Sequence, residues 1–205
     1  MRTIEVYFSL ASPWAYIGDA HLRALAARHS ARIDWRPVSL GQVFPQTGGL
    51  PLAKRHISRQ NYRLVELQRW REKRGLHFAI EPRGWPFDPT LADCVAVALM
   101  LQGADPAPYI AAAFKAVFEQ ERNLGEAGEI ESVVQTTGAN GSALVEAARG
   151  PKAQVAYAAN FERAMKAGVF GSPSYVLDGE IFWGQDRLDL LEDALASGRP
   201  PYRAP

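Results

Sequence analysis

Residues 3–18 read T-I-E-V-Y-F-S-L-A-S-P-W-A-Y-I-G, and this stretch decides how the chain is expected to fold. Apolar residues occupy every second position over 4–8, which is the two-residue period of a β-strand. Ser12 and Pro13 follow, and serine at the N-cap with proline at the first helical position is a favoured helix start. The stretch therefore predicts a strand that leads directly into a helix, with Ser12 at the junction.

The start of that helix is expected to favour an anion. The first backbone N–H groups of a helix have no partner inside the helix, and the helix dipole is positive at this end. At this point two interpretations of Ser12 stay open, because a serine here can simply cap the helix or can also take part in chemistry. Features near the other end of the chain bear on that choice.

The composition is that of an ordinary globular protein. Hydrophobic residues make up 47% and charged residues 22% of the 205 positions. No apolar run is long enough to cross a membrane, and no signal-peptide core precedes the first strand, so we expect a cytoplasmic protein without a membrane partner.

The charge is close to balanced overall but uneven along the chain. The net charge of +1 predicts no bulk attraction to nucleic acid. Residues 54–74, however, hold eight Lys and Arg against two Glu. Such a run is usually the solvated face of a helix, and it can also attract an anionic small molecule.

Cysteine and histidine usage excludes two kinds of site. Cys94 is the single cysteine, so no internal disulfide can form, and its apolar helical surroundings predict a buried, inert thiol. The four histidines show no metal-ligand spacing, so no metal is expected.

The remaining pattern predicts further elements in chain order. They are a short strand at 32–38, a loop region at 39–50, a long amphipathic helix at 51–74, a proline-rich irregular segment at 79–89, and helices from 90 to about 168 with breaks near 103–106, 123–128, 137–141 and 150–151.

The pattern returns to strands near the end of the chain. Two short apolar runs, 174–177 and 180–183, flank Asp178-Gly179, and Asp-Gly between apolar runs is the strongest short hairpin signal. A last helix is expected at 187–196, with Asp186 as its candidate N-cap.

This order, β-α-β, then helices, then β-β-α, is that of a thioredoxin fold with an inserted helical domain. We therefore predict an α/β protein with a mixed sheet. Residues 1–50 and 151–205 would form the thioredoxin-like domain, and residues 51–150 the inserted all-helical domain.

Three segments together carry a resemblance to a known group. They are Y-F-S-L-A-S-P-W-A-Y-I-G at 7–18, G-V-F-G-S-P-S-Y-V at 168–176 and F-W-G-Q-D-R-L-D-L-L at 182–191. In order and separation they resemble the thioredoxin-like group of DsbA oxidoreductases, kappa-class glutathione transferases and 2-hydroxychromene-2-carboxylate isomerase.

The residues at the helix start show which members of this group the chain can resemble in function. A disulfide oxidoreductase needs two thiols there in the pattern Cys-X-X-Cys, whereas residues 12–15 are Ser-Pro-Trp-Ala. Thiol–disulfide exchange is therefore excluded at this position. A helix start without its own thiol fits a thiol brought by a ligand. The resemblance implies that this ligand is glutathione and that Ser12 is the catalytic residue that donates a hydrogen bond to its sulfur.

The same resemblance implies the other site residues. Ser172 and a cis Pro173 would bind the cysteinyl part of glutathione, and Gln185 and Asp186 its γ-glutamyl end. Alternatives stay open, because Pro173 can be an ordinary trans proline that opens a strand and Asp186 can simply cap a helix.

The substrate end of the site is expected to involve two further residues. Arg59 falls where the family carries a lysine that handles an acidic group, and Arg keeps the charge but changes its geometry. Trp85 either lines the substrate pocket or packs in the interior. Gly49 is a departure, since isomerase relatives tend to carry asparagine there.

The sequence thus predicts a glutathione-dependent isomerase of 2-hydroxychromene-2-carboxylate-type substrates, from aromatic catabolism. Its partner would be a small aromatic carboxylate, and a homodimer is expected by analogy with the family. Two alternatives remain, a kappa-like glutathione transferase for other electrophiles and a non-catalytic thioredoxin-like binding protein.

Overall fold

The computed structural model describes residues 1–203 of the chain. Over these residues it contains one sheet of four strands, β1 (Thr3–Phe8), β2 (Arg32–Pro37), β3 (Ser174–Leu177) and β4 (Glu180–Trp183). Their order across the sheet is β2-β1-β3-β4. β1 runs parallel to β2 and antiparallel to β3, and β4 is antiparallel to β3. The predicted thioredoxin-like α/β fold with a mixed sheet is confirmed.

Helices fill most of the remaining described chain. They are α1 (Pro13–Arg28), α2 (Leu40–Thr47), α3 (Ile57–Lys73), α4 (Thr90–Leu101), α5 (Ala107–Phe118), α6 (Ala127–Thr136), α7 (Gly141–Arg149), α8 (Pro151–Lys166) and α9 (Leu188–Ser197). The predicted breaks between residues 90 and 168 are confirmed. At the start of α5 the Asp105 carboxylate accepts the Ala107 N–H at 2.9 Å. At the start of α8, Gly150 precedes Pro151, which takes the first helical position.

The closing hairpin forms as its sequence predicts. β3 and β4 occupy the predicted residues, joined through Asp178 and Gly179 with φ of 52° and 84°. Two consecutive positive φ values are those of a type I′ turn, whose twist matches that of the flanking strands. The hairpin places Trp183 at the end of the sheet where β1 also ends, with β3 between the two strands.

Aromatic packing fastens the first helix to the helical part of the chain. Tyr16 on α1 stacks on Phe118 of α5 with ring centroids 5.1 Å apart, and meets Phe78 edge-on at 5.3 Å. Phe8 at the end of β1 packs edge-on against Trp35 of β2 at 5.5 Å. Such pairs add about 0.5–1.5 kcal/mol each beyond the area that they bury. The strand–helix junction is therefore held from both sides.

The main apolar core runs through the sheet and the helices, and a second, smaller cluster lies around Tyr7, Val38 and Val176. α4 is buried on almost every side, from Ala92 to Leu99, and it contacts β2, α7 and α8. A helix that is apolar all round belongs in an interior. The division into a 1–50 and 151–205 domain with a 51–150 insertion stays a prediction.

The expectation of a loop at 39–50 was wrong, because α2 lies within it. Val43 is fully buried, and Gly48, with φ of 75°, ends the helix in the left-handed conformation. Pro45 removes one backbone donor inside this helix. The burial of Val43 and the glycine cap evidently outweigh that cost.

The predicted helix at 51–74 was wrong at its start and right at its end. A short 3-10 turn covers Leu52–Lys54, and α3 begins only at Ile57, where the His56 ring accepts the Ser58 N–H at 3.3 Å. Gly75, with φ of 62°, follows the last turn. The apolar face expected of this amphipathic helix is mostly exposed, and Leu67 is the one residue of α3 that is fully buried.

The close packing of α1 against β3 at Gly18 can be tested by substitution. A Cβ at this position would lie 2.7 Å from the Tyr175 hydroxyl and 2.8 Å from the Gln185 Cβ. We expect Gly18→Ala to lower the free energy of unfolding by about 1–3 kcal/mol, measured by urea denaturation, because overpacking displaces neighbours. Gly128→Ala on α6 is the control, since a Cβ added there would meet nothing within 4 Å. An unfolding midpoint that Gly18→Ala leaves unchanged would contradict the close approach.

Candidate active site

The Ser12 junction has the geometry of a helix cap. Ser12 has φ of −90° and ψ of 111°, and Pro13 takes the first position of α1. The Ser12 Oγ accepts the Ala15 N–H at 3.3 Å. The predicted strand, cap and proline-led helix are confirmed. Because Pro13 has no N–H, Trp14 carries the first amide of the helix.

The Ser12 hydroxyl also contacts the segment that leads into β3. Its Oγ donates to the Ser172 carbonyl oxygen at 3.3 Å, and the Ser9 N–H donates to the Ser172 Oγ at the same distance. The Ser172–Pro173 peptide bond is cis, as expected. The Pro173 carbonyl accepts the Gly184 N–H at 2.9 Å. The Ser12 loop thus lies against the segment before β3, and that segment is bonded in turn to the residue after β4.

A cleft of about 660 Å³ opens beside this junction, between α3 and the residues that follow β4. We call it the α3 cleft. Its volume lies within the roughly 300–1,000 Å³ of small-molecule sites. The lining side chains are aromatic, charged or polar: Trp14, Arg55, Ser58, Arg59, Tyr62, Arg63, Glu66, Trp70, Ser172, Trp183, Gln185, Asp186 and Arg187, with Gly184.

The structure brings most of the predicted site residues to this cleft. Those that line it are Arg59, Ser172, Gln185 and Asp186. Ser12 is one layer deeper, because its side chain is almost completely buried beneath Ser172. Pro173 lies on the far side of Ser172, against a small internal space shared with Tyr175.

Gln185 is fixed by residues that sequence patterns did not single out. The Arg74 guanidinium donates to its Oε1 at 3.3 Å, and Gly18 leaves room for its Cβ. Arg74 also contacts the His21 Nδ1 at 3.2 Å and lies over the Trp70 ring at 5.3 Å. Burial and the charge of Arg74 lower the pKa of His21.

Asp186 does not cap the last helix, which corrects the expectation for this residue. Gln185–Arg187 form a 3-10 turn, so α9 begins only at Leu188, and no side chain caps it. The Asp186 Oδ2 instead accepts from the Arg187 guanidinium at 2.5 Å. Gly184, with φ of 98°, allows this turn, since a Cβ there would collide with the Asp186 Oδ1.

Trp85 does not line the α3 cleft but lies behind it. Its Nε1 donates to the Ala11 carbonyl oxygen at 2.9 Å, next to Ser12. The Arg63 guanidinium lies over the Trp85 ring at 4.9 Å and faces the cleft. Trp85 is therefore connected both to the loop that carries Ser12 and to a cleft arginine.

A buried carboxyl group supports the loop before Ser12. Asp93 on α4 is completely buried, its Oδ1 accepts the Leu10 N–H at 2.9 Å, and its Oδ2 accepts the Tyr157 hydroxyl at 3.2 Å. Burial raises the pKa of Asp93 to about 7, although these hydrogen bonds oppose the shift. The sequence carries a signal for this group, because an aspartate interrupts the apolar run L-A-D-C-V-A-V-A-L-M at 91–100.

The predicted burial of Cys94 is confirmed. The thiol is buried, and burial raises its pKa to about 12. In residues 1–203 no three side chains of His, Cys, Asp or Glu come together as a metal site. None of the helices in this range has both the length and the apolar character needed to cross a bilayer.

Comparisons with known proteins agree with this geometry. The DSBA-like thioredoxin domain family matches residues 3–196. A 2-hydroxychromene-2-carboxylate isomerase from Sphingobium xenophagum is 29% identical over 196 residues, which cover 95% of this chain and 98% of the relative.

Two solved structures share the fold. A 2-hydroxychromene-2-carboxylate isomerase superposes with a TM-score of 0.78 at 24% identity, over 95% of each chain. The cytosolic disulfide reductase DsbM from Pseudomonas aeruginosa, solved with GSH, superposes with a TM-score of 0.68 at 14% identity, over 95% of this chain and 96% of that one.

Asp93 gives a pH-dependent prediction for stability. Its pKa is raised from 3.8 to about 7 by folding, so the folded chain holds this proton more tightly than the unfolded chain. The contribution of Asp93 to stability is therefore greatest below about pH 4 and is lost as the pH rises through 7, on the order of 1 kcal/mol per pH unit.

We expect Asp93→Asn to remove this slope in urea denaturation curves measured across that range. Asp105→Asn, at an exposed aspartate outside the network, is the control and should keep the native slope. A native-like slope in Asp93→Asn would show that Asp93 is not the titrating group.

Proposed function

The chain belongs to the DSBA-like thioredoxin domain family, and we propose that it is a glutathione-dependent isomerase of 2-hydroxychromene-2-carboxylate-type substrates. The observation that carries the proposal is the Ser12 hydroxyl at the start of α1, where a disulfide oxidoreductase would need a thiol. Support comes from the isomerase name of the relative at 29% identity over nearly the whole chain.

The residues around the α3 cleft fit a peptide-like anion such as glutathione. The cleft is large enough for a tripeptide, and its lining holds four arginines and two carboxylates. The Ser12 hydroxyl donates a long hydrogen bond of 3.3 Å to the Ser172 carbonyl oxygen. A negatively charged sulfur would compete well with that oxygen for the hydroxyl proton.

Glutathione would supply the nucleophilic sulfur that adds reversibly to the substrate and is released again. Ser12 would donate a hydrogen bond to that sulfur and hold it as the thiolate. The amide N–H groups at the start of α1, of which Trp14 carries the first, would add the positive potential of a helix N-terminus. Ser12 would keep its bond from the Ala15 N–H, so the cap need not be lost.

The free energies involved are of the right size. A free thiol has a pKa of about 8.5, so making the thiolate dominant at neutral pH requires roughly 2–3 kcal/mol. A hydrogen bond to a charged group contributes about 1.5–3 kcal/mol, and a helix N-terminus roughly 0.3–1 kcal/mol. Ser12 and the helix start together would be sufficient.

Four residues around Ser12 would hold the tripeptide itself. Ser172, before the cis Pro173, would pair with the cysteinyl backbone. Gln185 would offer its amide N–H groups to a carboxylate, since its Oε1 already accepts from Arg74. Asp186 would bind the ammonium group, which requires it to share its carboxylate with Arg187.

The opposite wall would hold the aromatic substrate. Tyr62 and Trp70 on α3 face the cleft together with Arg59, so an aromatic ring and its carboxylate would both find partners there. The substrate would be a small aromatic carboxylate from aromatic catabolism. We further propose that the protein acts as a homodimer in the cytoplasm.

The direct test is Ser12→Ala. We expect turnover at neutral pH to fall by about tenfold or more, and the apparent pKa of bound glutathione to rise by about 1–2 units, because a hydrogen bond to the sulfur is lost. Stopped-flow turnover and the ultraviolet absorbance of the thiolate, both followed against pH, measure these effects.

The control for Ser12→Ala is Ser39→Ala. Ser39 is also an N-cap residue, but its side chain makes no capping hydrogen bond. It should leave both the turnover and the pKa unchanged. If Ser12→Ala keeps the native pH dependence, Ser12 takes no part in the reaction.

Two further measurements separate the proposed activity from its competitors. Turnover of a hydroxychromene carboxylate and of a halonitroarene, measured side by side, distinguishes an isomerase from a kappa-like transferase. Calorimetric titration with glutathione distinguishes both from a non-catalytic thioredoxin-like protein, which would produce no heat of binding.

A further inference from the structure

The wall of the α3 cleft formed by α3 and the residues before it carries more positive charge than one carboxylate requires. Arg55, Arg59 and Arg63 all line it. Among the described residues, none of the three is ion-paired with a carboxylate, whereas Arg187 on the opposite wall is paired with Asp186. A cluster of unpaired guanidinium groups in a cleft is the electrostatic pattern of an anion site.

Arg63 differs from its two neighbours by its surroundings. It is half-buried with its guanidinium over the Trp85 ring, 4.9 Å from the ring centroid. Burial lowers the pKa of Arg63, the charge of Arg55 lowers it further, and the exposed Glu81 only partly compensates. The charge of a bound anion would compensate for both the lost hydration of Arg63 and the repulsion from Arg55.

Arg63 is connected through Trp85 to the end of the cleft where the reaction is proposed to take place. Trp85, on which it lies, donates to the carbonyl of Ala11, the residue before Ser12. Two contacts therefore connect the Arg63 guanidinium to the loop that carries the proposed catalytic hydroxyl. Gln185 and Asp186, which would hold glutathione, lie on the opposite wall.

Arg59 and Arg63 are spaced to hold two anionic groups at once. Residues four apart lie on the same face of a helix, with their Cβ atoms about 5–6 Å from each other. Two carboxylates in the meta positions of a benzene ring span a comparable distance. Each guanidinium can bind a carboxylate by donating two parallel hydrogen bonds.

We propose that Arg63, held on the face of Trp85, binds a second anionic group of the substrate, so that among substrates of the hydroxychromene carboxylate type the cleft prefers one with a second carboxylate on its aromatic ring. This inference rests on the proposed function, because it assumes that Arg59 takes the first carboxylate and that glutathione occupies the opposite wall. Arg63 is then a specificity-determining residue, and Trp85 positions it.

The test compares binding of isophthalate and benzoate to the full-length protein by calorimetry. The native protein should bind isophthalate about tenfold more tightly, the ratio expected for one additional charge-assisted contact. Arg63→Gln should abolish that preference and leave the affinity for benzoate nearly unchanged. Arg63→Lys, which keeps the charge but not the planar stacking, should retain part of it.

Arg69→Gln is the matched control, since Arg69 lies on the same helix, is paired with Glu66 and does not line the cleft. It should keep the full preference for isophthalate. Equal affinities of the native protein for the two probes, or a full preference in Arg63→Gln, would overturn the proposal.

Titration with glutathione separates the remaining possibilities. A loss of glutathione affinity in Arg63→Gln as large as the loss for isophthalate would assign Arg63 to glutathione and overturn the inference. If the native protein binds no glutathione, the proposed isomerase function fails, and the isophthalate ratio still decides the second anion site on its own.

Discussion

The packing of the segment before β3 against the Ser12 junction is the constraint on which the rest of the site depends. It joins the N-terminus of α1 to the cis Ser172–Pro173 bond, at the point where β1 and β3 pair in the sheet. A helix start is a source of positive potential only where its amides remain accessible. Here the neighbouring segment comes close enough to bury Ser12 while leaving Trp14 on the surface of the cleft.

The cleft beside that contact has walls of different character. α3 contributes a row of arginines and aromatic rings, and the turn after β4 contributes a glutamine and an aspartate that are already hydrogen-bonded to Arg74 and Arg187. The wall that carries Gln185 and Asp186 is therefore preorganised. Arg59 and Arg63 on α3, in contrast, have no carboxylate partner among the described residues. This asymmetry fits the proposed function, in which two different small molecules occupy the site.

Local chemistry made much of the fold predictable. The Asp178-Gly179 turn, the Ser12-Pro13 helix start and the Gly150-Pro151 boundary are determined by backbone preferences that act over a few residues, and each forms as predicted. Tertiary packing decided the remainder. Burial of Val43 makes a helix of a segment rich in breakers, and Asp93, although visible in the sequence, acquires its partner Leu10 only in the folded chain.

Cys94 lies in the core one residue beyond Asp93, and burial keeps its thiol protonated. A site that holds a foreign thiolate next to a reactive cysteine of its own would be at risk of trapping that thiolate as a mixed disulfide whenever conditions become oxidising. Here the sole sulfur nucleophile of the chain is inaccessible, and the helix start carries a hydroxyl, which cannot be oxidised in that way. Under the proposed function, oxidation of the bound thiolate would consequently leave no mixed disulfide on the protein.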